Sequence, residues 1–361
     1  MTLTLSLAEK LARARSDLRL GLPVVLLGQG SAMLAAAIEV LTPERLAEMR
    51  ALGTAEVALT ARRCETLKAR AYDGDLARIS LPEAADCTWL RAVADPAHDL
   101  RYPMKGPLNA LRGGDATLHR TAITLAKAAQ LLPAALLIAV PDGLSLAAQW
   151  QLTVLNDDDA QHLRRLAPLT GVVSARLPMA ASQAGRVHVF RPDDGGEEHY
   201  AIEIGRPDRD APVLARLHSA CFTGDVLGSL KCDCGPQLRS ALAQMGREGA
   251  GVLLYLNQEG RGIGLANKLR AYALQDQGFD TVQANHRLGF EDDERDFRIG
   301  AEILRKMGFG AVRLLTNNPK KVDMLAACGI EVVQRVPLQV GQTDQNRAYL
   351  ATKAAKSGHL L

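Results

Sequence analysis

Residues 251–278 read GVLLYLNQEGRGIGLANKLRAYALQDQG. The short apolar run Gly251 to Asn257 predicts a buried strand. Glu259-Gly260-Arg261-Gly262-Ile263-Gly264 follows as a glycine-rich turn, and helical spacing then runs from about Leu265 to Gln277, closed by Gly278. Strand, turn and helix in that order predict an α/β unit. The order recurs downstream. Ile299, Ile303, Leu304 and Met307 mark a helix face stopped by Gly308, and Ala311 to Thr316 is a strand. Asn318 then caps a helix with Pro319 at its first position, and Ile330 to Val336 is a further strand.

Working upstream, Ser6 caps a helix through Leu18, and Pro23 to Leu27 reads as a strand, followed by a turn and a helix. Thr42-Pro43-Glu44 opens another helix, Ala55 to Thr60 is strand-like, Thr121 to Leu132 is helical, and Ala134 to Val140 is a buried strand. The chain of 361 residues is long enough for two domains, and both read as mixed α/β, 1–169 and 170–361. Hydrophobic residues at 47% and charged residues at 23% exclude wholesale disorder, and a net charge of +3 argues against a surface built for nucleic acid. No residue between Arg19 and Glu39 is charged, but Glu9 and Asp17 interrupt the basic region before it, and Pro23 and Gly28-Gln29-Gly30-Ser31 cut the apolar run. The stretch therefore reads as neither a signal peptide nor a membrane span.

Cys221, Cys232 and Cys234 have the form Cys-x10-Cys-x-Cys, while Cys64, Cys87 and Cys328 are scattered. That usage points to a reducing compartment, hence the cytoplasm, with one metal site. Three thiolates leave a tetrahedral zinc one open position, where bound water becomes available as hydroxide near neutrality. Two other readings stand beside this one: a closed structural site with His218 as fourth ligand, and buried free thiols.

Two strand-to-helix turns suit an anion. The glycine turn carries Arg261, though it lacks the Gly-Lys-Ser/Thr ending of a Walker loop, and Leu315-Thr316-Asn317-Asn318-Pro319-Lys320-Lys321 offers a hydroxyl, two amides and two ammonium groups. A triphosphate fits two such turns in one domain. Asp292-Asp293-Glu294-Arg295-Asp296 reads as a solvated charge run, as a proton acceptor beside a charge clamp, or as carboxylates that help hold magnesium on phosphates.

From about residue 170 onward the sequence resembles GTP cyclohydrolase II. The resemblance rests on Arg216-Leu217-His218-Ser219, Thr223-Gly224-Asp225, Cys232-Asp233-Cys234-Gly235, Gln258 to Gly264, Leu314 to Lys320 and the ending Gly358-His359-Leu360-Leu361. It implies opening of the imidazole ring of GTP with release of formate and pyrophosphate, one zinc ion on Cys221, Cys232 and Cys234, and magnesium on the GTP phosphates. It also implies a homodimer, while the charge balance and the broken apolar stretch point to no nucleic-acid or membrane partner. By the same resemblance Arg216, Leu217, His218, Ser219, Ala220, Gln237, Glu259, Gly260, Arg261, Thr281, Thr316 and Lys321 bind GTP. Asp293 matches the proton acceptor, Arg295 the assigned nucleophile, and Tyr272 the tyrosine beside the base that is linked to complete deformylation. A guanidinium stays protonated in proteins, so clamping is the competing role for Arg295. The sequence departs from the family at Ala220, often Glu, and at Lys231, usually Arg. A paralogue stopping at the formamide, and a GTP sensor without turnover, are the alternative readings.

Residues 6 to 150 resemble 3,4-dihydroxy-2-butanone 4-phosphate synthase more weakly, through Leu20 to Leu26 and Leu41-Thr42-Pro43-Glu44. The acidic loop on which that family holds magnesium is replaced by Gly28-Gln29-Gly30-Ser31-Ala32-Met33-Leu34, and its His-Thr-Glu element by His119-Arg120-Thr121-Ala122. The expectation is a domain without synthase activity, serving as scaffold or dimerisation unit.

Overall fold

The computed structural model describes residues 3–347, 350–351, 354–355, 358 and 360. His359 and Leu361, part of the C-terminal motif, lie outside the described residues. The chain folds as two compact units, each built from two stretches of sequence. Unit 1 is Met1–Arg165 with Ile263–Glu294, and unit 2 is Leu166–Gly262 with Arg295–Leu361.

Unit 1 holds a six-stranded sheet formed by β1 (Val24–Gly28), β2 (Ser31–Ala37), β3 (Ala55–Thr60), β4 (Leu76–Ser80), β5 (Ala134–Ala139) and β6 (Val154–Asn156), in the order β4-β3-β5-β2-β1-β6. Residues 31–37 correct the expected helix. Ala-rich composition favours helix in isolation, yet the segment pairs antiparallel with β1 on one side and β5 on the other. Its alternate residues serve opposite faces of the sheet: Leu34 and Ala36 enter one core, Met33, Ala35 and Ala37 the other. The helices Leu7–Arg19 and Thr117–Ala128 cover the second face through Leu11, Leu18, Leu118 and Leu125.

The first face explains why Ile263–Glu294 groups with unit 1. The helices Leu265–Asp276 and Thr281–Arg287 bring Ala271, Leu274 and Ala284, and the following residues bring Leu288 and Phe290, into the core lined by Val57, Ile79 and Leu136. The polar ties agree: Arg270 reaches Glu39 at 2.9 Å and Asp95 at 3.0 Å. The compact units divide at Arg165/Leu166, and Ile263–Glu294 groups with the first of them.

Unit 2 holds a seven-stranded mixed sheet of β7 (Leu169–Arg176), β8 (Gly185–Pro192), β9 (His199–Ile204), β10 (Val213–Ser219), β11 (Gly251–Leu256), β12 (Ala311–Leu315) and β13 (Glu331–Val336), ordered β13-β12-β10-β11-β9-β8-β7. The strands β13, β12, β10 and β11 are parallel to one another, and β9, β8 and β7 continue antiparallel. Both faces of central strand β11 are buried, which is why it reads as an unbroken apolar run, whereas the edge strand β13 is not buried. Val252, Leu254 and Leu256 pack with Ile303 and Leu325, and Leu253 packs opposite with Ala241 and Met245. Because β10 lies between β11 and β12, their carboxyl ends converge, the usual place for a ligand in such a sheet.

Candidate functional site

Strand β10 aims Arg216 and His218, two residues apart, to one face of the sheet. Both are buried. The Arg216 guanidinium donates through Nη1 to the Leu315 carbonyl at 3.2 Å and through Nη2 to Gln237 Oε1 at 2.5 Å. Its Nε is buried without a partner. Burial brings Arg216 down to about 10, so it remains a cation whose unmet N–H costs free energy until an acceptor arrives. Gln237, on the helix Cys234–Glu248, donates in turn to buried Asp233 at 2.5 Å, which ties Arg216 to the residue between Cys232 and Cys234.

The ligating atoms of Cys221, Cys232 and Cys234 all lie within 4.8 Å of one another, and among the described residues they are the one such grouping of three or more. Cys221 Sγ and Cys232 Sγ are 3.8 Å apart. Zn–S bonds of about 2.3 Å in a tetrahedron put sulfur atoms about 3.8 Å apart, so this pair fits the ion. A Cβ added to Gly224 would lie 2.7 Å from Cys232 Sγ and 3.1 Å from Cys221 Sγ, so only a bare backbone can wrap the cluster here. Contact with the Cys221 thiol, with burial behind it, holds Cys232 above and Cys234 well above the ordinary thiol range. Thiols so arranged ionise readily only with a cation to receive them.

His218 does not complete a four-ligand cluster. Its Nε2 meets the Asp225 carboxylate at 3.0 Å, and Asp225 also accepts from the Cys221 amide and the Tyr255 hydroxyl, each at 3.0 Å. The β10–β11 register sets His218 opposite Tyr255, and their rings stack at 5.6 Å. Burial lowers the His218 pKa, against the raising effect of its Asp225 bond. Spacing alone gave no sign of Asp225 or Tyr255 as partners of His218. The β10–β11 register supplies Tyr255, and the helical turn Phe222–Val226, a few residues after His218, supplies Asp225.

Cationic groups gather at the end of β10. Lys321 Nζ donates to the Leu217 carbonyl at 2.8 Å, and Arg295 Nη1 donates to Ser219 Oγ at 3.3 Å. Both cations lie 4.7 Å from the Phe297 ring. Buried Thr316 accepts from the Asn318 amide at 3.0 Å, and Asn318 caps the lysine-bearing helix Pro319–Ala327 by accepting from the Lys320 amide. In the glycine turn, Gly260 and Arg261 are both left-handed at φ 64°, a conformation an arginine adopts at a cost. Glu259 Oε2 accepts from the Phe222 amide at 2.6 Å and joins this turn to the residue after Cys221. Ala220 extends the strand pairing by donating its amide to Leu256 at 2.8 Å.

Unit 2 therefore holds the thiols, Arg216 to Ala220, Gln237, Glu259 to Arg261, Arg295, Thr316 and Lys321, whereas Tyr272, Thr281 and Asp293 belong to unit 1. There Lys268 lies over the Tyr272 ring at 5.7 Å, and Thr281 Oγ1 accepts from Gln275 at 3.1 Å. Asp293 is exposed, but the run around it is not a loose solvated face. Glu291 pairs with Arg62 at 3.0 Å, Asp292 with His286 at 2.6 Å and Glu294 with Lys127 at 2.6 Å.

The sequence model of the family described as GTP cyclohydrolase II matches residues 170–337. The GTP cyclohydrolase-2 of Azospirillum brasilense is 46% identical over 338 residues, 92% of this chain and 87% of that protein. The GTP cyclohydrolase-2 of Escherichia fergusonii is 60% identical over 166 residues, 46% of this chain and 84% of that one. The riboflavin biosynthesis protein RibBA of Bacillus cereus is 50% identical over 226 residues, covering 62% of this chain and 56% of its own length. Among solved structures, RibBX, a two-domain 3,4-dihydroxy-2-butanone 4-phosphate synthase from A. baumannii, is similar at a TM-score of 0.34 and 17% identity, covering 85% of this chain and 93% of its own.

Proposed function

This chain belongs to the GTP cyclohydrolase II family of riboflavin biosynthesis, and from that premise we propose that it hydrolyses GTP in the cytoplasm to formate, pyrophosphate and a diaminopyrimidinone ribosylamine phosphate. The observation that carries the proposal is the convergence, at the carboxyl ends of β10, β11 and β12, of three thiols with the cations Arg216, Arg295 and Lys321.

Cys221, Cys232 and Cys234 hold zinc, which when bound supplies Lewis-acid activation of water for ring opening at C8 of the base. The chain's own residues do the rest. Arg216, with its Nε unmet, and Lys321 bind the anionic part of GTP, which enters as its magnesium complex. Arg295 clamps the phosphate that loses pyrophosphate; its seat over Phe297 suits a guanidinium that remains charged. Glu259 and Arg261 present the glycine turn to the substrate, and Asp225 orients His218. By the family resemblance, Asp293 is the proton acceptor and Tyr272 the residue linked to complete deformylation. Thr281 contributes a hydroxyl to the nucleotide. The active molecule is a homodimer. Unit 1 lacks synthase chemistry, since its Gly28-to-Leu34 segment offers no carboxylate for magnesium.

Metal analysis and product mass test this reading directly. One zinc per chain and a product lacking the formyl group support it. A formamide product indicates the arrested paralogue, and bound GTP with no turnover indicates a sensor.

A further inference from the structure

Gln258 follows β11 and opens the glycine turn, and it is buried. Its side-chain amide makes both backbone hydrogen bonds of one distant residue, Asp296. Nε2 donates to the Asp296 carbonyl at 2.8 Å, and Oε1 accepts from the Asp296 amide at 2.8 Å. This reciprocal pair is what a neighbouring strand would supply, delivered by one side chain to a segment that has no strand beside it.

The backbone of Gln258 is fixed as firmly. Its amide donates to Leu256 at 2.8 Å, and its carbonyl accepts from Gly262 at 3.3 Å, closing the turn that carries Glu259 and Arg261. The preceding Asn257 amide donates to Nδ1 of buried His199 at 3.1 Å. On the far side, Asp296 stands between Arg295 and Phe297, and its carboxylate accepts from the Arg298 amide at 2.9 Å to start the helix Arg298–Lys306. Phe297 lies against both Arg295 and Lys321. Holding the Asp296 N–H and carbonyl fixes the peptide groups on either side of Asp296, and with them the backbone of Arg295 and Phe297.

We propose that Gln258 is a positioning residue that sets the distance and orientation of Arg295 relative to the glycine turn. This rests on the reading of Arg295 as the phosphate clamp. A carboxamide suits the task because it offers one donor and one acceptor side by side, and Glu, the nearest isostere, loses the donor when ionised. Clamping that strengthens at the transition state appears in kcat, whereas loss of simple affinity appears in KM.

The test compares zinc-loaded wild type with Gln258→Leu and Gln258→Glu, and with Arg295→Ala as a reference. Expected for both Gln258 variants is a fall in kcat of about tenfold or more, KM for GTP within about twofold, and unchanged zinc content. Amide hydrogen exchange across residues 291–298 speeds up as well, because the Asp296 amide has lost its acceptor or its fixed geometry. If Gln258→Leu does not fold, Gln258→Glu carries the test alone. An unchanged kcat, a loss confined to KM, or a lowered kcat with unchanged exchange at 291–298 overturns the proposal. Wild-type turnover in Arg295→Ala instead overturns the clamp reading itself, and the exchange measurement still reports whether Gln258 holds the segment.

Discussion

His218 in unit 2 and His119 in unit 1 are each 3% exposed, and each meets a carboxylate through Nε2, Asp225 at 3.0 Å and Glu56 at 2.8 Å. As isolated pairs they are hard to tell apart. Their surroundings differ. Asp225 also holds the Cys221 amide and the Tyr255 hydroxyl, beside three thiols and a guanidinium with an unmet Nε. His119 sits on a helix whose neighbours Leu118 and Ala122 are core residues, and its Nδ1 is buried without a partner. Among the described residues no second cluster of three metal-ligating groups accompanies it. A buried histidine–carboxylate pair is therefore not a site by itself. Convergence of reactive groups around it makes the difference.

The largest expected effect lies on the thiols. Cys232→Ser removes a ligand, and turnover of GTP falls by more than the roughly 10–100-fold typical of outer-shell partners, with zinc lost in parallel by metal analysis. Retained zinc and activity would break the comparison at its root. Next come the two histidines. His218→Ala lowers kcat/KM about tenfold or more, by freeing Asp225 and Tyr255. His119→Leu leaves kcat/KM within about twofold and lowers stability by about 1–2 kcal/mol in chemical denaturation, because Glu56 loses its hydrogen bond. Equal kinetic effects of both variants would show that the surroundings do not separate them.

A pH-dependent effect, on stability rather than on turnover, concerns His199. Burial lowers its pKa to about 4, against attraction from Asp194 and Asp296. The folded state therefore binds fewer protons than the unfolded state between about pH 6.5 and pH 4. Stability is complete above the unfolded value and is lost as pH falls through that window, by up to about 3 kcal/mol. His199→Gln keeps an acceptor for Asn257 and should flatten that slope in denaturation curves; an unchanged slope would assign it elsewhere. The smallest expected signal is none. Ribulose 5-phosphate offered to the protein yields no butanone phosphate, and any such product would restore to unit 1 the chemistry denied to it.

Much of the site was legible because its members are close in sequence. Cys221, Cys232 and Cys234 mark a candidate metal cluster by spacing, and residues 251–278 show a strand, a turn and a helix in order, although the strand falls in unit 2 and the helix in unit 1. What escaped depends on register and tertiary contact. Tyr255 faces His218 only because β10 and β11 pair in one register, and Gln258 meets Asp296 across 38 residues. Ser31–Ala37 became a strand because two neighbouring strands claim its backbone, which overrides an Ala-rich preference for helix. Apolar periodicity in Ile263–Glu294 predicts a helix with a buried face, but not which core will bury it.

The most direct test of the account is stoichiometric turnover of GTP by zinc-loaded protein with magnesium, measuring formate, pyrophosphate and the pyrimidine product together, beside Cys232→Ser. Equal amounts of formate and pyrophosphate, abolished in Cys232→Ser, are predicted. Turnover that survives in Cys232→Ser, or bound GTP with neither product formed, would contradict it.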